Sequence, residues 1–220
     1  MLKVVVFDSG YGGELFADKL EEELPVVEVI RVIDWRNADK LLQSPKTARR
    51  IAMAALERYI GRVDLIVFAN HLLSITSLKY FQKKYKDQKF IGLLLKTPDT
   101  YINRRTIILT TKAVYRTAVF YNFAHRLKRN VQTVCLDSWP ALIDDGELTT
   151  EIIATDLADC RRSIDGAQVE IILACSQFSD CLQGLRQFFG GNVKIYDSFD
   201  DCLRAVCKTL KIRGCLGRKS

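Results

Sequence analysis

The chain has 220 residues, of which 48% are hydrophobic and 27% charged, as expected for one large or two small globular domains. Its net charge of +7 comes from basic residues scattered among acids along helical patterns, so we expect solvated helix faces rather than a nucleic-acid-binding surface. No apolar run approaches the ~18–20 residues that a membrane span needs.

Apolar segments of strand length alternate with helical patterns from one end of the chain to the other. This alternation predicts an α/β fold with mainly parallel sheets flanked by helices. The predicted elements, in chain order, are strand 3–7, helix 13–23, strand 26–33, helix 47–60, strand 64–68, helix 76–85, strand 89–95, strand 106–109, helix 113–127, strand 131–134, helix 149–164, strand 169–173, helix 180–188, strand 193–196 and helix 199–210.

The two halves of the chain repeat one local pattern. "DLIVFAN" (64–70) and "VEIILAC" (169–175) are each an apolar strand followed by alanine and one polar residue at the strand tip. "LLLKTPDT" (93–100) contains Pro98, which interrupts regular structure, and is a plausible crossing between the halves. We therefore predict two related α/β lobes, 1–96 plus 198–220 and 97–197, with a cleft between them. Ligands of such sheets bind at the carboxyl ends of the strands.

The seven cysteines are irregularly spaced and include no CxxC pair. We therefore expect reduced thiols rather than a disulfide framework, and no metal site, since two histidines and scattered thiols form no ligand spacing. Asp8 interrupts the first apolar stretch, so we expect no signal peptide and a cytoplasmic protein.

The opening stretch "VVVFDSGYGG" (4–13) runs from an apolar strand into an acid, a hydroxyl and three glycines around a tyrosine. It is neither GxGxxG nor a phosphate-binding loop with its lysine. It predicts a strand-to-helix turn that places Asp8 and Ser9 above the sheet, where the N-terminus of the following helix favours an anion such as a carboxylate. A tight turn capped by Asp8 is the purely structural alternative.

This stretch resembles the "FDSGxGG" opening of cofactor-independent glutamate racemases, in the aspartate/glutamate racemase superfamily. "VFANHLLS" (67–74) lies where the first cysteine motif of that family would be, and "ILACSQFS" (172–179) resembles the second. Segments 91–98, 109–117 and 135–146 resemble further family segments in the same order. The resemblance implies two α/β lobes, with helix 199–210 packed on the first, and proton transfer at an α-carbon by two opposed thiols without pyridoxal phosphate or any other cofactor.

This chain departs from the family at the first cysteine. A gapless match puts Asn70 at that position and His71 where the family has asparagine. The second motif keeps Cys175 but has Ser176 and Gln177 in place of threonine and histidine. The family's "PYG" segment, which helps to hold the amino-acid substrate, has no counterpart. The usual two-thiol mechanism therefore cannot operate as written.

The resemblance assigns roles to the residues that match. Asp8 would lie behind Asn70, and because an amide cannot exchange a proton at neutral pH, we expect Asp8 to hold Asn70 or His71 by a hydrogen bond. Each of three residues also has a purely structural alternative. Cys175 could be a buried inert thiol, His71 a structural histidine and Asp144 a solvated loop acid. The predicted catalytic residues are Cys175, His71, Asp8 and Asp144. The predicted substrate-binding residues are Ser9, Asn70, Thr111, Ser176 and Gln177.

The resemblance implies a protein that binds a small carboxylate or amino acid in the cleft and, if active, moves an α-proton through Cys175. Three alternatives stay open: a racemase that pairs Cys175 with His71, a single-thiol lyase similar to the arylmalonate decarboxylases, and a catalytically silent homologue with a binding or regulatory role. Whether the chain forms a homodimer is also open.

Overall fold

The computed structural model describes residues 1–95, 105–127, 131–162, 169–191 and 193–212. The chain divides into two compact units: unit 1 comprises Met1–Leu94 with Phe199–Ser220, and unit 2 comprises Leu95–Ser198. Within the described ranges, no helix has the length and apolar character needed to cross a membrane.

Strands and helices alternate through both units. Unit 1 contains β1 (Leu2–Asp8), α1 (Tyr11–Glu23), β2 (Val27–Ile33), a 3-10 turn (Trp35–Asn37), α2 (Ala38–Leu41), α3 (Pro45–Leu56), β3 (Leu65–Phe68), α4 (His71–Lys84) and β4 (Phe90–Gly92). Unit 2 contains β5 (Arg105–Thr110), α5 (Lys112–Tyr115), α6 (Ala118–Arg126), β6 (Val131–Cys135), α7 (Trp139–Asp144), α8 (Thr150–Asp156), α9 (Ala158–Arg162), β7 (Val169–Leu173), a 3-10 turn (Ser176–Ser179), α10 (Leu182–Phe189) and β8 (Val193–Tyr196). The last helix, α11 (Ser198–Leu210), begins at the boundary of the two units.

Each unit is built around a four-stranded parallel sheet, and the two sheets have the same strand order. The orders are β2-β1-β3-β4 and β6-β5-β7-β8. In both units the first strand therefore lies between the second and the third, and the paired strands end close together. Phe7 pairs with Phe68 in unit 1, and Leu109 pairs with Leu173 in unit 2. The predicted α/β class with two related parallel sheets is confirmed.

The sheet of unit 1 is buried on both faces. Val4–Phe7 have no exposed surface, as expected for a continuous apolar run in a covered parallel sheet. On one face Val4 and Val6 pack in a cluster with α1 and α11, where the rings of Phe16 and Phe199 lie 5.1 Å apart. Residues of α3 and α4 cover the other face. This two-sided burial fixes the position of β1, whose carboxyl end carries Asp8.

Several predicted boundaries differ from the structure. The helix predicted at 76–85 begins at His71, because Asn70 supplies its N-cap. The helix predicted at 113–127 is two helices, because Thr117 accepts a hydrogen bond from the Phe120 amide and starts a new helix. The helix predicted at 149–164 is also two helices as far as residue 162, and its last two residues lie outside the described ranges. Helices α2 and α7 were not predicted. Reduced thiols were expected throughout, but Cys207 is disulfide-bonded.

Candidate functional site

The opening stretch forms the strand-to-helix turn that its sequence predicts. Asp8, the last residue of β1, is 2% exposed, and its Oδ1 accepts a hydrogen bond of 2.6 Å from the Ser9 amide. Helix α1 begins two residues after Ser9. A Cβ at Gly13 would lie 2.4 Å from the Asp8 Cβ and 2.7 Å from Ile33 Cδ1. Glycine is therefore required at this position, because any side chain would push α1 away from the carboxylate.

Asn70 joins β1 to α4 through its side-chain amide. Its Nδ2 donates a hydrogen bond of 2.8 Å to Asp8 Oδ1, so the expected bond from Asp8 to this region is present. Its Oδ1 accepts from the Leu73 amide at 2.9 Å, which makes Asn70 the N-cap of α4. The carboxylate can only accept and the backbone amide can only donate, so these two partners fix which way the side chain is oriented.

Ser74 and Gly92, which the sequence did not suggest as site residues, pack next to Asn70 and the end of β3. Ser74 Oγ lies 2.9 Å from the Phe68 carbonyl and 2.7 Å from the Asn70 carbonyl. A Cβ at Gly92 would lie 2.4 Å from that same Oγ. The ends of β3 and β4 and the first turn of α4 are thus held tightly together. The sequence signal for Ser74 was its spacing of four residues from Asn70. This spacing is common in helices and does not indicate a site by itself.

His71 is the first residue of α4 and is 3% exposed. Burial lowers the pKa of its imidazole to about 3, because the apolar surroundings disfavour the charged form. At neutral pH the ring is therefore neutral and a weak base. This protonation behaviour disfavours the predicted role of His71 as a second proton carrier, which needs a group that titrates near the working pH.

In unit 2, Cys175 directly follows the end of β7 and precedes the 3-10 turn. Cys175 and Ser176 are both buried, and Gln177 is half-buried. The Cys175 Sγ lies 3.6 Å from Gln177 Oε1, within reach of a weak hydrogen bond from the thiol. The thiol that the sequence singled out is thus held at a strand tip by the residue two positions further on.

Gln177 in turn contacts α7. Its Nε2 donates a hydrogen bond of 2.8 Å to Asp144 Oδ1 and one of 3.3 Å to the Pro140 carbonyl. The result is a chain of contacts from Cys175 through Gln177 to the exposed carboxylate of Asp144. Gln177 therefore separates the Asp144 carboxylate from the Cys175 thiol, and its amide cannot carry a proton between them.

Thr111 follows β5, one of the two inner strands of the unit 2 sheet, and is the N-cap residue of α5 without a side-chain cap hydrogen bond. It therefore lies at the same carboxyl edge of the sheet as Cys175. The predicted residues form two groups, one at the carboxyl edge of each sheet. The first group is Asp8, Ser9, Asn70 and His71, and the second is Thr111, Asp144, Cys175, Ser176 and Gln177. Among the described residues, no group of three or more His, Cys, Asp or Glu side chains could hold a metal ion.

Comparisons with known proteins give a consistent result. No protein-family model matches the chain. Glutamate racemase of Aquifex aeolicus is 22% identical over 217 residues, which cover 96% of this chain and 82% of that protein. The solved structure of Escherichia coli glutamate racemase, in complex with L-glutamate and the activator UDP-MurNAc-ala, has a TM-score of 0.82 at 20% identity and covers 96% of this chain and 83% of that one. Aspartate racemase of Picrophilus torridus has a TM-score of 0.63 at 13% identity, with coverages of 96% and 94%. The resemblance seen in the sequence is confirmed.

Proposed function

We propose that this chain, which belongs to the aspartate/glutamate racemase superfamily, binds a small carboxylate such as an amino acid at its strand ends and does not racemise it. The observation that carries the proposal is the state of Asn70. It occupies the position of the first family cysteine, and its amide is committed to Asp8 on one side and to the cap of α4 on the other.

Racemisation at an α-carbon needs one group to remove a proton from one face and another to deliver a proton to the opposite face. Cys175 supplies one thiol. An amide neither gives nor takes a proton at neutral pH, and the pKa of the neighbouring His71 is lowered to about 3 by burial. Any proton transfer by Cys175 is therefore confined to one face of the ligand.

Carboxylate binding is supported by the turn after β1. The N-cap residue of α1 is Gly10, and no side chain caps this helix. The Gly13 amide already donates to the Gly10 carbonyl at 3.1 Å, so the amides of Tyr11 and Gly12, at the positive end of the dipole of this 13-residue helix, are the ones that would meet an anion. Ser9 directly precedes the N-cap residue and is 8% exposed. The expectation that the strand ends of both units serve one ligand stays a prediction.

Titration calorimetry with the two enantiomers of glutamate and of aspartate tests the binding claim. We expect one of these probes to bind, and Ser9→Ala to weaken it by about two- to tenfold, the effect of one lost hydrogen bond. Ser138→Ala, at an exposed serine without a side-chain cap bond, should leave the affinity unchanged. Absence of binding by all four probes would count against carboxylate binding, and a change of optical rotation with the unmodified chain would refute the claim that it does not racemise.

A further inference from the structure

We propose that Gln177 is a positioning residue that holds Cys175 as a neutral thiol, so that Cys175 is not a thiolate base at neutral pH. The inference rests on the role of Cys175 as the proton carrier of the proposed function.

The orientation of the Gln177 amide carries the argument. Its Nε2 lies between Asp144 Oδ1 at 2.8 Å and the Pro140 carbonyl at 3.3 Å. Since a carbonyl can only accept and a carboxylate accepts when ionised, the nitrogen must face both of them. The amide oxygen is thereby left on the opposite side, where Cys175 Sγ lies 3.6 Å away. Residues on α7 thus determine which end of the amide the thiol meets.

An amide oxygen can stabilise a thiol but not a thiolate. The S–H group donates to Oε1, whereas a negatively charged sulfur would meet the partial negative charge of that oxygen. A hydrogen bond to the neutral form disfavours the charged one. The alternative orientation, with Nε2 towards the sulfur, would have the opposite effect, but the two acceptors on α7 already hold that nitrogen.

The described residues near the thiol include two titratable side chains of unit 2. Asp144 lies beyond Gln177, and Cys181 interacts electrostatically with Cys175. Burial raises the pKa of the Cys181 thiol to about 12, so this group stays neutral at neutral pH. Neither side chain supplies the positive charge that stabilises thiolates at reactive cysteines.

The experiment measures the alkylation rate of Cys175 by iodoacetamide between pH 6 and 10, using mass spectrometry of the Cys175 peptide in the full chain. It needs no ligand, so its outcome is independent of whether a carboxylate binds. In the unmodified chain we expect slow alkylation at pH 7 that rises with pH. Gln177→His replaces the amide with a ring that can donate to Asp144 and accept the thiol proton on its other nitrogen. We expect Cys175 in this variant to be alkylated about tenfold faster at pH 7. The increase of the alkylation rate with pH should begin at a lower pH than in the unmodified chain.

Gln183→His is the matched control, because Gln183 is an exposed glutamine in α10, six residues further along the chain. It should leave the Cys175 profile unchanged, and circular dichroism should show all three proteins to be folded. Fast alkylation of Cys175 at pH 7 in the unmodified chain would overturn the proposal. An identical pH profile for Gln177→His and the unmodified chain would also overturn it, because residue 177 would then not control the thiol.

Discussion

Replacing Asn70 with cysteine restores the thiol at the first family position and removes two hydrogen bonds at once. The lost bonds are those from Nδ2 to Asp8, at 2.8 Å, and from the Leu73 amide to Oδ1, at 2.9 Å. Loss of a helix N-cap costs about 0.5–2 kcal/mol. Loss of a hydrogen bond to a charged group costs about 1.5–3 kcal/mol, and Asp8 is 2% exposed. We therefore expect Asn70→Cys to lower the free energy of unfolding by about 2–4 kcal/mol, which is more than a near-isosteric replacement would cost.

Urea unfolding followed by circular dichroism measures this difference. Asn70→Ser is the matched control, because serine is a strong N-cap but its shorter side chain does not reproduce the amide bond to Asp8. We expect it to lose only part of the stability that Asn70→Cys loses. A polarimetric assay on the cysteine variant should show little glutamate racemisation, since the variant still has Gln177 in place of the family's histidine and still lacks the "PYG" segment.

Two results would refute this reasoning. An unfolding free energy of Asn70→Cys within about 0.5 kcal/mol of the unmodified chain, the usual range for a neutral surface change, would mean that the two bonds of Asn70 stabilise nothing. Robust racemisation by the variant would mean that the site is still built for a two-thiol reaction and lacks only the sulfur.

Two further predictions concern residues around Asn70. Burial lowers the pKa of His71 from its ordinary value of 6.5 to about 3, so between these values only the unfolded chain binds the proton, and the free energy of unfolding falls by about 1.4 kcal/mol for each pH unit below 6.5. His71→Gln should therefore reduce the difference in unfolding free energy between pH 7 and pH 5 by about 2 kcal/mol, with His125→Gln as the control. An unchanged difference would contradict the lowered pKa of His71. Gly13→Ala should lower the free energy of unfolding by about 1–3 kcal/mol, because the added Cβ clashes with Asp8 and Ile33. Gly191→Ala is the control, because a Cβ there meets nothing within 4 Å. Equal effects of the two substitutions on urea unfolding would contradict the close packing of α1.

The strands, and the polar residues that follow them, could be predicted because their signals are local. The buried strand β3 is an uninterrupted apolar run and β7 is apolar except for Glu170, and a polar residue follows each strand after one alanine, Asn70 in the first case and Cys175 in the second. The start of α4 was missed because the apolar periodicity becomes clear only after the first turn, whereas the capping bond at Asn70 starts the helix at His71. Helix α7 was missed because it is only six residues long and contains Pro140.

The chemistry of the site could be predicted only in part. The pairing of Asp8 with Asn70 followed from the resemblance, since both positions match family motifs. The state of His71 depends on how completely the fold buries it, which a single sequence does not show. The orientation of Gln177 depends on acceptors 33 and 37 residues away in the chain. Such long-range partners leave no local pattern, although they decide how the thiol behaves.

The most direct test of the central claim is the fate of the α-proton. Each enantiomer of glutamate and aspartate is incubated with the unmodified chain in deuterium oxide, and the product is analysed by proton NMR and chiral chromatography. We predict that any deuterium that enters the α-position is found in the starting enantiomer, because Cys175 is the one proton carrier that the proposed function assigns. Deuterium in the opposite enantiomer would contradict the account, since it would require a second proton carrier on the other face.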